Sequence, residues 1–367
     1  MESLKRIKLE GFKSIKSMDL ELTAMNILIG ANGAGKSNLI SFFKLLNEMM
    51  GSRLRQHVGA CGHASSLLHF GPKVTPQIQA SLEFEVERGV NEYTMRLLHA
   101  VDDSLVFAEE NVGFHAATNF EPTVVSLGVG HSETGIREEA ENGGDAAKSV
   151  RWLLNRCRVF HFHDTSSTAT VRQACYVDDN RWLMPDAGNL AAVLLRLRSE
   201  RGDVSYRRIL SNIRLVAPFF DDFELEPDTS HRVKLNWRHR GSPALFGPHQ
   251  LSDGTLRAMC LVTLLMLPEG QLPNFIIVDE PELGLHPYAL NLVASLFKSV
   301  SNRAQVLVST QSSAFLDSFE PEDVIVANRT NGETRFSRPN SETLRAWLED
   351  YSLGEVWEKN VMEGGPH

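Results

Sequence analysis

Four cysteines occur among 367 residues, and Cys61, Cys157, Cys175 and Cys260 form no C-x-x-C pair. That spacing indicates neither a zinc site nor a disulfide framework, so the thiols read as reduced packing residues of a cytoplasmic protein. No apolar run approaches the ~20 residues needed to span a bilayer, and no signal pattern opens the chain. A membrane domain and an export route are therefore not expected. Basic charge is outnumbered by acidic: the net charge is −9, which argues against a dedicated nucleic-acid binder while leaving room for a local patch. No internal repeat and no low-complexity tract appears. Nuclease constellations are missing too. There is no H-N-H arrangement, no D-x-D pair beside a lone glutamate, and no spaced Asp, Glu and Lys at a strand end beyond the motif described below. What remains is a chain of globular composition, 42% hydrophobic and 23% charged, long enough for one large or two modest domains.

The first strong pattern is Gly30-Ala31-Asn32-Gly33-Ala34-Gly35-Lys36-Ser37, which fits G-x-x-x-x-G-K-[ST]. Its flanks agree. Met25 to Ile29 reads as a short buried strand. From Asn38 to Met50, apolar residues at Leu39, Phe42, Phe43, Leu46, Met49 and Met50 recur at helical spacing. An ordinary glycine-rich turn would fit the eight residues but has no need of such flanks. Phosphate binding does need them. Glycines let the backbone turn its N–H groups inward, and the helix N-terminus adds positive potential. Lys36 then reaches the β- and γ-phosphates of ATP, and the Ser37 hydroxyl ligates Mg²⁺.

Upstream of this loop, Leu4 to Leu22 predicts two strands around a turn at Gly11-Phe12-Lys13-Ser14-Ile15. The polar pair Lys13 and Ser14 fits either a turn facing the nucleotide or a solvated one. Residues 51–76 read as irregular. Alternation at Ile78, Ala80, Leu82, Phe84 and Val86 predicts a half-buried strand, with residues 92–98 as its antiparallel neighbour and further strands over 101–125. Residues 128–148, rich in glycine and acid, read as a mobile surface loop. A strand over 157–162 leads into His163-Asp164-Thr165-Ser166-Ser167-Thr168, which suits a loop approaching the nucleotide or a hydrogen-bonded turn. From Asn189 the period is helical, and Pro218 ends a pair of helices. Their polar face carries Arg196, Arg198, Arg201, Arg207, Arg208 and Arg214 against Glu200 and Asp203. A solvated face explains that charge, and so does contact with nucleic acid or an acidic partner.

Two later motifs share the phosphate theme. Phe275-Ile276-Ile277-Val278 is apolar without alternation, as in a central strand buried on both faces, and it ends in Asp279-Glu280. After a phosphate loop, such a pair supplies a Mg²⁺ ligand, Asp279, and a general base for water, Glu280. Leu251-Ser252-Asp253-Gly254-Thr255 opens a helix running to about Leu267. Ser252 and Gly254 there suit an anion site on a helix N-terminus, and Ser252 or Asp253 also suits a simple N-cap.

In this order the motifs resemble those of ABC-type ATPases of the SMC, RecF and OLD group, specifically its stand-alone bacterial AAA family members. Gly11 to Ser14, the phosphate loop, Leu251 to Thr255, Phe275 through Leu285-His286-Pro287, and Val306 to Ser312 carry the resemblance. It implies an α/β fold: an ABC-type P-loop ATPase head with a mixed sheet, an antiparallel β layer and a short helical lid insertion. The expected divisions are 1–185 for the N-terminal part of the core and 186–217 for the Arg-rich insertion. Residues 218–335 then form the C-terminal part of the core, and 336–367 a helix and tail begun by Ser341. It further implies a nucleotide site formed by Gly30 to Asn38 with Ser252 and Gly254, and a catalytic role for Gln311 beside Glu280.

Three departures qualify the implied activity. Asp253 stands where transporters have Gly, Thr255 where they have Gln, and Gln311 where the family most often has His. Glutamine cannot become cationic, so hydrolysis is expected to be slow. The chain also has no room for the long coiled-coil arms of SMC-like relatives. By resemblance it forms an ATP-dependent homodimer or higher oligomer and controls a separate effector such as a nuclease, in bacterial anti-phage defence. A DNA-stimulated repair ATPase and a nucleotide-gated scaffold remain as alternatives.

Overall fold

The computed structural model describes residues 2–117, 123–200, 204–362 and 364–365, with the backbone alone at 341–343. The chain opens with β1 (Ser3–Phe12), β2 (Ile15–Glu21) and β3 (Met25–Ile29), then α1 (Lys36–Met50), α2 (Leu54–Ala60) and α3 (His63–Leu67). Strands β4 (Gln77–Val86), β5 (Gly89–His99), β6 (Leu105–Ala116) and β7 (Thr123–Ser126) precede α4 (Ile136–Glu141), α5 (Asp145–Asn155) and β8 (Cys157–Phe160). The middle of the chain holds β9 (Cys175–Tyr176), α6 (Leu190–Ser199), α7 (Val204–Val216), β10 (Phe220–Glu224), β11 (Arg232–Val233), β12 (Asn236–His239) and β13 (Leu245–Phe246). Then come α8 (Asp253–Leu265), β14 (Phe275–Asp279), α9 (Pro287–Val300), β15 (Gln305–Ser309) and α10 (Ser313–Leu316). The last elements are β16 (Val324–Thr330), β17 (Glu333–Ser337), α11 (Ser341–Leu348) and α12 (Leu353–Glu358). Among the described residues, no helix is long and apolar enough to cross a membrane.

The chain divides into two units, the first made of residues 1–159, 273–277 and 304–367. Its antiparallel sheet has the order β2-β1-β4-β5-β6-β7. Alternation makes this layer: Ile78, Leu82 and Phe84 are buried on β4 while their neighbours face outward. A six-stranded mixed sheet has the order β17-β16-β3-β15-β14-β8, in which β16 and β15 flank β3 in parallel. Every residue of β3 is buried, including Asn26, whose side-chain amide donates to the carbonyls of Thr23 and Val306. Helix α1 fills the unit's core with Phe42 and Phe43, the latter edge-on to Phe275 at 5.4 Å.

Two expectations need correction in this unit. Residues 51–76 contain α2 and α3, whose Leu54, Val58, Ala64 and Leu67 are buried. Residues 128–148 are not a mobile loop. They hold α4 and the start of α5, which bury Ile136, Ala140, Ala147, Val150, Leu153 and Leu154 in the core. Gly143 and Gly144 separate the two short helices, and Glu138, Glu139, Glu141 and Asp145 lie off their buried faces. Glu133 accepts from the backbone N–H groups of Leu54 and Arg55 at the start of α2.

The second unit takes in residues 160–272 and 278–303. Its core is α8, buried from Leu256 to Leu265, with small sheets of order β10-β12-β13 and β11-β9. Rings stack on the three-stranded sheet, Trp237 lying 4.8 Å from Phe246. On α7 the Tyr206 hydroxyl donates to Asp222 at 2.7 Å, and burial together with that carboxylate pushes the phenol well above its ordinary pKa. Arg201 and Asp203 lie outside the described residues, as does the side chain of Ser341. Of the remaining arginines, Arg214 donates to the carbonyl of Asp221 and Arg198 to that of Phe223, so part of the expected basic face is spent on local backbone.

Candidate nucleotide-binding site

In the first unit, β3 delivers the chain to Gly30 and α1 begins at Lys36, so the loop hangs between a buried strand and a helix N-terminus. Gly35 stands ahead of the helix with φ +104°, a conformation that strains any L side chain. Space forbids one as well, since a β-carbon there would collide with Oγ1 of Thr334. Thr334, buried on β17, donates that hydroxyl to the Ala34 carbonyl at 2.8 Å. Its Oγ1 lies 2.6 Å from Ser14 Oγ, which in turn accepts from the Asn38 amide at 2.5 Å. The donors order the chain of bonds: Asn38 to Ser14, Ser14 to Thr334, Thr334 to Ala34.

The turn at Ser14 therefore backs the loop, and the polar pair there is divided. Ser14 is buried, while the Lys13 ammonium is held below its ordinary pKa by partial burial. Asn38 uses its backbone N–H on the Gly35 carbonyl at 3.0 Å and its side chain on Ser14. Ala31 donates its N–H to the carbonyl of Gly364 at 3.1 Å, an oxygen that also accepts from the Trp357 indole at 3.1 Å. Lys36 is buried, with Nζ donating to the Gly30 carbonyl at 2.5 Å and to that of Ala31 at 3.3 Å. Arg329 on β16 reaches the Gly33 carbonyl at 3.3 Å. None of Ser14, Thr334, Trp357, Gly364 or Arg329 falls within the loop motif. Thr334 is separated from Gly35 by nearly the whole chain, and nothing in its own neighbourhood marks it.

Gln311 follows β15, which runs parallel to β3 with Ser309 opposite Leu28, and the Thr310 N–H donates to the Leu28 carbonyl at 3.0 Å. Strand pairing thus brings Gln311 and the start of the phosphate loop to the same end of the sheet. The first unit holds Gly30 to Asn38 and Gln311. Ser252, Gly254, Asp279 and Glu280 belong to the second.

There, β14 ends at Asp279, and Glu280 takes φ +42°, a left-handed conformation rare for a residue with a side chain. The carbonyl of Asp279 accepts a hydrogen bond from His163 Nε2 at 2.8 Å, so that nitrogen carries the proton. His163 to Thr168 is a hydrogen-bonded turn, with Asp164 accepting from the Ser166 N–H at 3.0 Å. Ser252 is the N-cap of α8, its Oγ accepting from the Thr255 N–H at 3.3 Å and lying 2.8 Å from Thr255 Oγ1. Asp253 pairs with the buried Arg172 at 2.7 Å. Arg257 on the same helix donates to the carbonyls of Phe162 and His163 at 2.9 and 3.0 Å, and to that of Leu283. The two arginines escaped the sequence reading, although the acid at position 253 was a signal that a cation faces it.

All four cysteines are free thiols, and no group of three His, Cys, Asp or Glu among the described residues is arranged to hold a metal. Mg²⁺ would need donors of another kind, and a hydroxyl, one carboxylate and phosphate oxygens form the sparse oxygen set that this ion accepts. Ser37 at the first turn of α1, in the first unit, is a hydroxyl of that kind, and Asp279 at the end of β14, in the second, is a carboxylate of that kind.

Solved SMC heads share this architecture. The Smc head with an extended coiled coil, bound to the C-terminal domain of ScpA derived from Pyrococcus furiosus, is 14% identical with TM-score 0.63, over 95% of this chain and 99% of that chain. The SmcHead bound to the C-winged helix domain of ScpA is 15% identical with TM-score 0.62, over 94% of this chain and 99% of that one. A Smc head with coiled coil and joint derived from Pyrococcus yayanosii gives TM-score 0.54 at 12% identity, over 95% and 99% of the two chains. The fold is that of an ABC-type, SMC-like P-loop ATPase. Residues 25–317 match the model of the family described as "AAA domain, putative AbiEii toxin, Type IV TA system", and the chain belongs to that family. A comparison with curated proteins gives no match.

Proposed function

We propose that this chain binds and hydrolyses ATP, and that ATP binding drives a head-to-tail pairing that controls a separate effector. The observation that carries the proposal is the construction of the phosphate loop, with Gly35 pressed on Thr334 and a buried Lys36 ammonium held only a bond away from the loop carbonyls. Lys36 is placed to transfer its hydrogen bonds to phosphate oxygens, and the N-terminus of α1 favours the same charge. Mg²⁺ bound by Ser37 and Asp279 would neutralise charge on the phosphates. Glu280 serves as general base, accepting a proton from the attacking water, and Gln311 hydrogen-bonds the γ-phosphate without adding positive charge. Ser252 Oγ and the N-terminal N–H groups of α8, including that of Gly254, are offered to the nucleotide of a partner copy.

Family membership and the absence of long arms favour a defence role with an effector on another polypeptide. In two of the solved SMC heads named above, a ScpA domain is the bound partner. A slow, scaffold-like turnover is the second reading, and Gln311 at the switch position favours it. Measured turnover of wild type against Glu280→Gln tests the assignment: removal of the base should lower hydrolysis by about two orders of magnitude or more with ATP still bound. Unchanged turnover would place the base elsewhere.

A further inference from the structure

Asp253 occupies a position where a transporter signature has glycine, and the second unit supplies a reason. Arg172 is 4% exposed, yet its guanidinium is fully engaged. Nε donates to the Thr165 carbonyl at 2.8 Å, and Nη1 to the carbonyls of Pro248 and Leu251, the latter at 3.2 Å. Nη2 donates to Asp253 Oδ1 at 2.7 Å. Three carbonyls satisfy hydrogen bonds but leave the charge, and a buried cation without a counter-ion is costly. Among the described residues, Asp253 is the only carboxylate bonded to it.

The acceptors are not scattered. Pro248, Leu251 and Asp253 lie on either side of the turn that presents Ser252, so one rigid planar fork fixes both flanks of that residue. Thr165 belongs to the turn whose His163 bonds the Asp279 carbonyl, and Arg257 binds the same turn through Phe162 and His163. We propose that Arg172, neutralised by Asp253, is a positioning residue for Ser252, setting the signature turn in the orientation it needs to cap a nucleotide held by a second copy. The proposal rests on the reading of Ser252 given above.

The test uses the full chain carrying Glu280→Gln, so that bound ATP is not consumed. ATP-dependent dimerisation is measured by light scattering, a fluorescent ATP analogue reports binding to the monomer, and Tm reports folding. Asp253→Asn keeps the shape and removes the charge. It should lower Tm, because Arg172 loses its counter-ion, and weaken ATP-dependent pairing roughly tenfold with monomer binding little changed, and Asp253→Glu should recover part of the loss. Arg172→Lys, which keeps the charge without the fork, should weaken pairing as well. Ser252→Arg serves as the reference. If it abolishes pairing while Asp253→Asn leaves pairing intact, the positioning role is overturned and the signature reading stands. If neither substitution affects pairing, the signature reading itself fails. A loss of monomer binding that matches the loss of pairing would make the ion pair merely structural and overturn the proposal.

Discussion

Gly254 and Gly284 touch backbone to backbone in the second unit: a β-carbon built on Gly254 would collide with the carbonyl oxygen of Gly284. The signature turn and the segment after Glu280 are therefore packed without room for a side chain. Gly254→Ala should force the two backbones apart at a cost of about 1–3 kcal/mol. A lowered Tm with weakened ATP-dependent pairing is the expected outcome, and an unchanged Tm would show that the contact yields freely.

Support behind the phosphate loop can be tested at Ser14. Its hydroxyl joins Asn38 to Thr334, and Ser14→Ala leaves both without that partner in a buried place. Stability should fall by about 1–3 kcal/mol, with a loss of ATP-analogue affinity that Lys36→Ala shows in stronger form. Normal affinity in a destabilised Ser14→Ala protein would mean that the network serves folding alone.

The thiols divide by environment. Burial pushes Cys157 and Cys260 up to about 12, and Cys175 is raised by partial burial. At neutral pH the two fully buried thiols stay protonated and covered, so a thiol reagent should spare them in the native protein and reach them on unfolding. Cys61 and Cys175, both partly exposed, should react first. Fast native labelling of Cys260 would mean that α8 opens in solution.

On α7, Arg207 and Arg208 keep outward positions while Arg214 is tied to Asp221. Reversing both to Glu should abolish any salt-sensitive DNA binding the protein has. If DNA binding and effector binding both survive the reversal, the face is only solvated.

Much of the mixed sheet and the phosphate loop was legible because the information is local. Ile27 to Ile29 and Phe275 to Val278 are apolar runs bounded by polar residues, and Gly30 to Ser37 fixes its own chemistry by spacing. The alternation at Ile78 to Val86 likewise fixed one strand of the antiparallel layer. Helices α2 to α5 were not legible. They are short, three of them directly follow a glycine, and their stability comes from burying residues such as Val58 and Leu154 against distant elements. The supports of the site were hidden for the same reason. Thr334 and Arg172 act through partners far away in sequence, and neither belongs to a recurring local pattern.

The composite site, with Lys36 of one copy and Ser252 of the other on the same nucleotide, is tested most directly by mixing two inactive variants. Lys36→Ala lacks the phosphate-binding ammonium, and Ser252→Arg blocks the signature. Each should be inactive alone. In a mixed dimer one site carries both defects and the other carries none, so partial ATPase activity should return in proportion to the share of mixed dimers. Mixed dimers that demonstrably form but hydrolyse no ATP, even in a single turnover, would contradict the account.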